Sequence, residues 1–345
     1  MHARDSIFGL ILLFVAGITS GSFTLPMKFS RRWAWENIWL VWTVFALVLL
    51  PLLTSLTTLP HFRKVFFETP PGPLLIMAAF GVGWGAAQVF FGLAVDAIGM
   101  ALAFSIVPGM SAALGSLIPL IRLHPDEILR ARGIGTGIGV ALTVLGVLVC
   151  ARAGGWREAA RAAPSSKTRP AYVRGLALAI ASGFGSAIAN LALTFGGPLL
   201  RAAEKAGAGP LWAPNAVWLP LMLGGAVPNL LYCVYRLKTH NTAVRFTEPD
   251  TWSHWFYAFV MAVFWFGSIS LYGMASARLG SWGNIFGWPL FMSLIVITAS
   301  VLGMVTGEWK GAAKPALLMQ AYGVAILILS VFVLSAATTQ LRSPH

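Results

Sequence analysis

Ten apolar runs, each about twenty residues long, follow one another along this chain, with charge confined to their ends and to the short gaps between them. They cover residues 6–26, 38–59, 73–95, 99–121, 133–151, 173–196, 210–235, 254–275, 281–306 and 315–337. A bilayer core is crossed by roughly 20 apolar residues in a helix. In lipid every backbone N–H and C=O must be satisfied within the protein, and a helix does that alone. The runs therefore predict an all-α membrane protein of ten transmembrane helices. Composition agrees: 57% of the 345 residues are hydrophobic and 10% charged, where soluble domains carry roughly 25% charge. The longest polar stretch, 152–174, reads as a loop, so no soluble domain is expected. The first run could pass for a signal peptide, but nine similar runs follow it, and it reads as the first span.

The net charge of +13 does not point to nucleic acid, because Lys and Arg sit beside the apolar runs. Basic loops of that kind orient a membrane protein. With ten crossings both termini share a side, which carries ten basic residues: Arg4, Arg63, Lys64, Arg122, Arg130, Arg132, Arg201, Lys205, Arg278 and Arg342. The other side carries the remaining 14 of 24, including Arg152, Arg157, Arg161, Lys167, Arg169 and Arg174 around the central loop. The central loop is thus expected in the cytoplasm and both termini in the periplasm, in a cell inner membrane. Cys150 and Cys233 form neither metal spacing nor a disulfide framework. The six His lie in loops or at span ends, so no relay, metal or cofactor is expected.

The chain also repeats itself. At a shift of 181, Trp84 meets Trp265, Gly92 meets Gly273, Ala94 meets Ala275, Gly99 meets Gly280, Pro108 meets Pro289 and Glu127 meets Glu308. At a shift of 166, Gly9-Leu10 meets Gly175-Leu176, Gly17 meets Gly183 and Ser20 meets Ser186. Single Gly matches arise by chance in Gly-rich helices; a Trp, a Pro and several small residues at one shift are harder to obtain that way. The expected division is a five-helix repeat over 1–151, a basic connecting loop over 152–172, a second five-helix repeat over 173–337 and a short tail over 338–345. Five is odd, so the two five-helix repeats must be inverted. Inverted repeats are a recurrent architecture of secondary transporters, with substrate held near the midplane.

After the first span stands Pro26-Met27-Lys28-Phe29-Ser30-Arg31-Arg32-Trp33-Ala34-Trp35-Glu36-Asn37-Ile38-Trp39. This segment resembles the opening signature of the L-rhamnose–proton symporter family, within the drug/metabolite transporter superfamily: a Pro, a basic stretch, then Trp-x-Trp-Glu-x-x-Trp. The likeness continues at Trp84-Gly85, Gly92-Leu93, Gly99-Met100, Arg152-Ala153-Gly154, Ala277-Arg278 and Glu308-Trp309. It implies ten spans, an inverted repeat and proton-coupled sugar transport. There are departures. The family carries Asn residues just after its Trp-Gly, where this chain has Ala86-Ala87-Gln88-Val89-Phe90-Phe91, and a Gln where this chain has Ser268. These departures imply a drier pocket.

Trp84 and Trp265 fall near the middle of their spans. Gln88 follows one turn after Trp84, and Ser268 three residues after Trp265, so each pair shares a helix face. Aromatic planes suit the C–H faces of a sugar, and amides and hydroxyls suit its edges. The expected substrate site is two Trp walls with Gln88, Ser268, Tyr272 and Asn284 as polar contacts. The alternative is that the Trp rings pack between helices and the polar groups bridge them; Asn190 and Asn229 read better that way. None of the eleven acids lies in the middle of a span. The candidates for proton coupling are Glu308 and Glu36, which match the family pattern, and Asp96 in a hairpin turn. Lys28, Arg31 and Arg32 would hold Glu36 ionised, which favours Glu308. Each could instead be an interfacial charge paired with a neighbour, Arg32 for Glu36 and Lys310 for Glu308.

The leading function is a sugar transporter working by alternating access. Its partners are the sugar, a coupling proton or cation, the bilayer, and as a further candidate a second copy in a homodimer. An exporter or exchanger of another metabolite is the alternative within transport. An intramembrane transferase would need acids, His or metal ligands gathered at one membrane face, and the sequence offers no such group.

Overall fold

The computed structural model describes residues 3–159 and 169–339, and among these every regular element is helical. The first span is α1 (Ala3–Ser22). The second is α2 (Trp35–Thr43), a π-helical turn over Val44–Leu49 and α3 (Leu50–Thr58) in one continuous rod. A short α4 (Phe62–Phe67) precedes α5 (Pro71–Ile98), α6 (Met100–Leu123) and α7 (Ala131–Ala159). Then follow α8 (Arg169–Phe195), a short α9 (Gly197–Lys205), α10 (Asn215–His240), α11 (Trp252–Leu279), α12 (Gly283–Val305) and α13 (Lys314–Thr339).

Nine stretches of the described residues are long and apolar enough to span a membrane. The longest, Trp252–Val305, holds 54 residues, and as one helix would run about 80 Å, far past a core of about 30 Å. A 3-10 turn at Gly280–Trp282 divides it into α11 and α12, with Gly280 at φ 71°. The protein is thus an all-α membrane protein, and the difference between nine stretches and ten expected spans falls on this one hairpin.

Other boundaries shift. Asp96, Ala97 and Ile98 do not form a hairpin turn; they complete the last turn of α5, and Gly99 alone, at φ 87°, reverses the chain. The stretch 152–174 is not wholly a loop, since α7 runs to Ala159 and α8 begins at Arg169. Arg161, Lys167 and Arg342 lie outside the described residues. The short helices α4 and α9 were not expected. α9 buries Leu199 and Ala203 and exposes Arg201 and Lys205, an amphipathic pattern suited to lying along a membrane surface.

The packing follows a regular scheme. α5 packs on α8 and α10, while α11 packs on α1 and α2. α6 packs on α7 and α8, while α12 packs on α13 and α1. α7 meets α13, α6 meets α12 and α2 meets α10. Exchanging α1 with α8, α2 with α10, α5 with α11, α6 with α12 and α7 with α13 turns this set of pairs into itself. The seam between α5 and α10 shows why small residues stand there. A Cβ on Gly81 would sit 2.0 Å from the Leu221 carbonyl oxygen, and one on Gly85 would sit 2.3 Å from that of Gly225. Helices meeting backbone to backbone gain dispersion contacts that lipid cannot offer. Gly133 and Gly137, which share the four-residue spacing of Gly81 and Gly85, do not form such a seam, since the space at Gly137 is open.

Candidate functional site

A cavity of about 200 Å³ lies in the middle of the bundle, walled by α1, α5, α6, α8, α10, α11 and α12. Trp84, Gln88 and Trp265 line it. So do Ser20 and Ser186, the pair matched at the shift of 166, which the internal repeat had marked without a role. Ser111 and Trp288 line it too, and the Trp288 indole N–H donates to the Ser111 carbonyl at 3.0 Å. Gly115 makes room for that ring, since a Cβ there would lie 2.4 Å from Trp288.

The two central Trp rings do not face each other across the cavity as expected. Their centroids are 5.4 Å apart at 30°, so they form one continuous aromatic wall. Trp84 is only 5% exposed and packs on α10, where a Cβ at Gly225 would meet its ring at 2.7 Å; it is a packing residue with one edge on the cavity. Behind the wall runs a column of indoles that begins in the signature segment and continues to Trp42. Trp35 stacks on Trp39 at 5.2 Å, Trp39 meets Trp42 at 4.4 Å, and Trp42 meets Trp265 at 5.2 Å. Trp39 donates to Asn229 Oδ1 at 3.1 Å, and Asn229 Nδ2 donates to the Gly225 carbonyl at 2.9 Å. The signature thus buttresses the cavity wall from behind. Trp42 gave no sign of this role in the sequence, because nothing in the periodicity of α2 says which neighbour its buried face meets.

Ser268, Tyr272 and Asn284 are not in this cavity. Ser268 turns back to its own helix, donating to the Trp265 carbonyl at 2.6 Å. The Tyr272 hydroxyl donates to Asn190 Oδ1 at 2.5 Å, and Asn190 Nδ2 donates to the carbonyls of Gly115 at 2.7 Å and Asn284 at 2.9 Å. Asn284 Oδ1 accepts from the Ser276 hydroxyl. This network ties α6, α8, α11 and α12 together on the side of the cavity that bears the termini. Beyond it lies a second recess of about 200 Å³ that includes Asn284, Ser276 and Glu204.

On the opposite side a vestibule of about 280 Å³ shares Pro108, Met292 and Ile295 with the central cavity. Glu308 stands at its mouth. It accepts from Lys28, after α1, and from Arg157 Nη1 of α7 at 3.3 Å. The Arg157 guanidinium also lies 5.0 Å from the centre of the Trp309 ring. Partial burial raises the Glu308 carboxyl, but the hydrogen bonds and charges of Lys28 and Arg157 outweigh it and hold the group below its ordinary range. Nor does Glu36 pair with Arg32, which donates instead to the Pro249 carbonyl. Glu36 is buried at the start of α2, accepting from Thr242 Oγ1 at 2.8 Å and facing His240 Nδ1 at 3.0 Å. Asp96 is exposed at the end of α5, away from both chambers. Among the described residues no three His, Cys, Asp or Glu side chains gather to hold a metal.

A helical membrane bundle with a central chamber, tied shut toward one end and bordered by a vestibule at the other, is the build of a membrane transport protein. The chain belongs to the L-rhamnose-proton symport protein family, whose model matches residues 3–339. It is similar to the L-rhamnose-proton symporter of Salmonella gallinarum, 26% identical over 338 residues covering 96% of this chain and 98% of the relative. It is 27% identical to that of Mannheimia succiniciproducens over 331 residues, covering 94% and 96%. A solved crystal structure matches 99% of this chain and 100% of its own at a TM-score of 0.55 and 16% identity, a likeness of fold alone.

Proposed function

We propose that this protein is an inner-membrane symporter that carries L-rhamnose or a related deoxy-sugar with a proton, by alternating access to the central cavity. The observation that carries the reading is the cavity wall itself. One aromatic surface, Trp84 with Trp265, stands beside Gln88, Ser20, Ser111 and Ser186, in about 200 Å³. That is below the roughly 300–1,000 Å³ of drug-sized pockets and suits a single small ring. An apolar wall with a few hydroxyls and one amide fits a deoxy-sugar, which offers a methyl group and C–H faces as well as hydroxyl edges.

The two-half architecture belongs to this reading. Residues 1–151 and 173–337 are taken as inverted repeats, supported by the exchange symmetry of helix packing and by the paired liners Ser20 with Ser186 and Trp84 with Trp265. The side bearing Glu36, Glu308 and the basic linker is taken as cytoplasmic. Tyr272, Asn190 and Asn284 then form the closed periplasmic seal, while Gln88, Trp84 and Trp265 contact substrate. For proton coupling we favour Glu36 over Glu308 on geometry: Glu36 is buried and faces the His240 ring, whereas Glu308 is half-exposed and ion-paired to Lys28 and Arg157. The test is uptake into proteoliposomes of a panel of deoxy-sugars with and without an imposed pH gradient. Accumulation of L-rhamnose driven by the gradient supports the reading. Equal uptake with no gradient removes the coupling, and no uptake of any deoxy-sugar removes the substrate class.

A further inference from the structure

The vestibule holds a buried amide that its surroundings leave half served. Gln320, on α13, is 3% exposed and lines the chamber. Its Nε2 donates to Ser300 Oγ of α12 at 2.8 Å, and its Oε1 has no hydrogen-bond partner. Exchanging the two amide atoms would leave the N–H end free instead, because Ser300 serves only one end of the group, and a hydroxyl can meet either end. A buried amide atom without a partner carries a free-energy cost, and cavities that keep such a group commonly hold something that meets it. At the other end of the same chamber Arg157 Nε is buried and likewise without a partner. Cys150, which also lines the chamber, precedes Arg157 by two helical turns, about 10 Å. The remaining wall is apolar, with Phe104, Val147 and Val296 among its residues.

We propose that the vestibule is a second binding site, for a small hydroxylated solute, through which the transported sugar passes on its way between the Glu308 mouth and the central cavity. A polyol is the chemistry that fits, since one hydroxyl donates to Gln320 Oε1 while another accepts from Arg157 N–H. The inference rests on the sugar-transport reading. The shared liners Pro108, Met292 and Ile295 put the two chambers back to back, so a solute bound in one is a step from the other.

Cys150 supplies the probe, in a Cys233→Ala background that leaves it as the one thiol. Alkylation by N-ethylmaleimide is timed with and without L-rhamnose, alongside sugar uptake by the same protein. The expected result is that L-rhamnose slows alkylation, and still does so when Gln88→Leu has weakened the central cavity. Gln320→Leu should abolish that protection and raise the KM for uptake about tenfold, with the unfolding temperature held or raised because an unpartnered amide is gone. A Gln320 that serves only structure would leave protection and KM unchanged. The proposal is overturned if protection disappears in Gln88→Leu, if it survives Gln320→Leu, or if Gln320→Leu leaves the KM for uptake unchanged. Failure of wild-type protein to take up any deoxy-sugar is a different result, seen before any variant is made, and it overturns the transport reading and this site together.

Discussion

Gln88 and Trp84 share one face of α5, yet they offer different tests of the site. Trp84 has most of its ring against α10 and Trp265, so Trp84→Ala leaves a void that costs about 3–5 kcal/mol, and its loss of transport would be entangled with loss of fold. Gln88 is half-buried and lines the cavity. Gln88→Leu keeps the volume and removes the amide; the affinity for a deoxy-sugar should fall about tenfold with the unfolding temperature unchanged, as measured by equilibrium binding and thermal denaturation of the same preparation. The part of the cavity lining that the sequence marked was the part written twice. Trp84 with Trp265 and Ser20 with Ser186 recur at constant shifts, and all four reach the cavity. Ser268 was misread because helix spacing fixes a Cβ direction and not a hydroxyl; a Ser within a helix readily bonds back to a carbonyl of the preceding turn. Tyr272 and Asn284 were misread because a polar residue at membrane depth looks the same whether it meets solute or seals two helices.

At the scale of the element, the π-helical turn Val44–Leu49 stands out. Such turns amount to one residue inserted into an α-helix and are frequent at functional sites. This one begins directly after Trp42, which backs Trp265, and after Thr43; the indole N–H of the one and the hydroxyl of the other are buried without partners. Pro51 follows in α3, where it frees a further carbonyl. Deleting one residue within Val44–Leu49 restores regular α-helix while keeping both flanking faces in place. If the turn is where the rod flexes during transport, the deletion should preserve the unfolding temperature and abolish uptake; unchanged uptake would show the turn to be passive. The apolar runs could not reveal this, because a single inserted residue leaves both hydropathy and length of the span as they were.

At the scale of the whole molecule, α1 is fastened at both ends. Asp5 accepts from Arg278 Nη1 at 2.5 Å near the termini, and Lys28 meets Glu308 at the far side. The Glu308 carboxyl is held below its ordinary value. A lowered carboxylate contributes stability above its unfolded pKa and loses it only as pH falls through the lowered folded value, so this fastening is constant between about pH 5 and 8. Glu308→Gln should therefore leave the shape of the uptake–pH profile unchanged over that range, whereas Glu36→Gln should flatten it and abolish accumulation while sparing sugar counterflow. Two profiles of the same shape as wild type would exclude both acids as the proton carrier. The all-helical membrane plan was legible because lipid imposes a length on every helix. The partners of Glu36 and Glu308 were not, since Thr242 and Arg157 lie 206 and 151 residues away from them along the chain.

The indole column has an optical consequence. Trp35, Trp39, Trp42, Trp265 and Trp84 stand with successive ring centres 4.4–5.4 Å apart, close enough for an excited indole to hand its energy to the next. Light absorbed anywhere along the column will be emitted from whichever ring lies lowest in energy, and the last two rings are those on the cavity. A sugar that displaces water from Trp265 and Trp84 should shift and partly quench the emission of the whole set. Trp39→Phe should shrink that signal by more than its share of one of the 14 indoles, because it cuts the column in two. A saturable change in intrinsic emission on titration with L-rhamnose, absent with a sugar that is not carried, would make the protein its own unlabelled binding sensor.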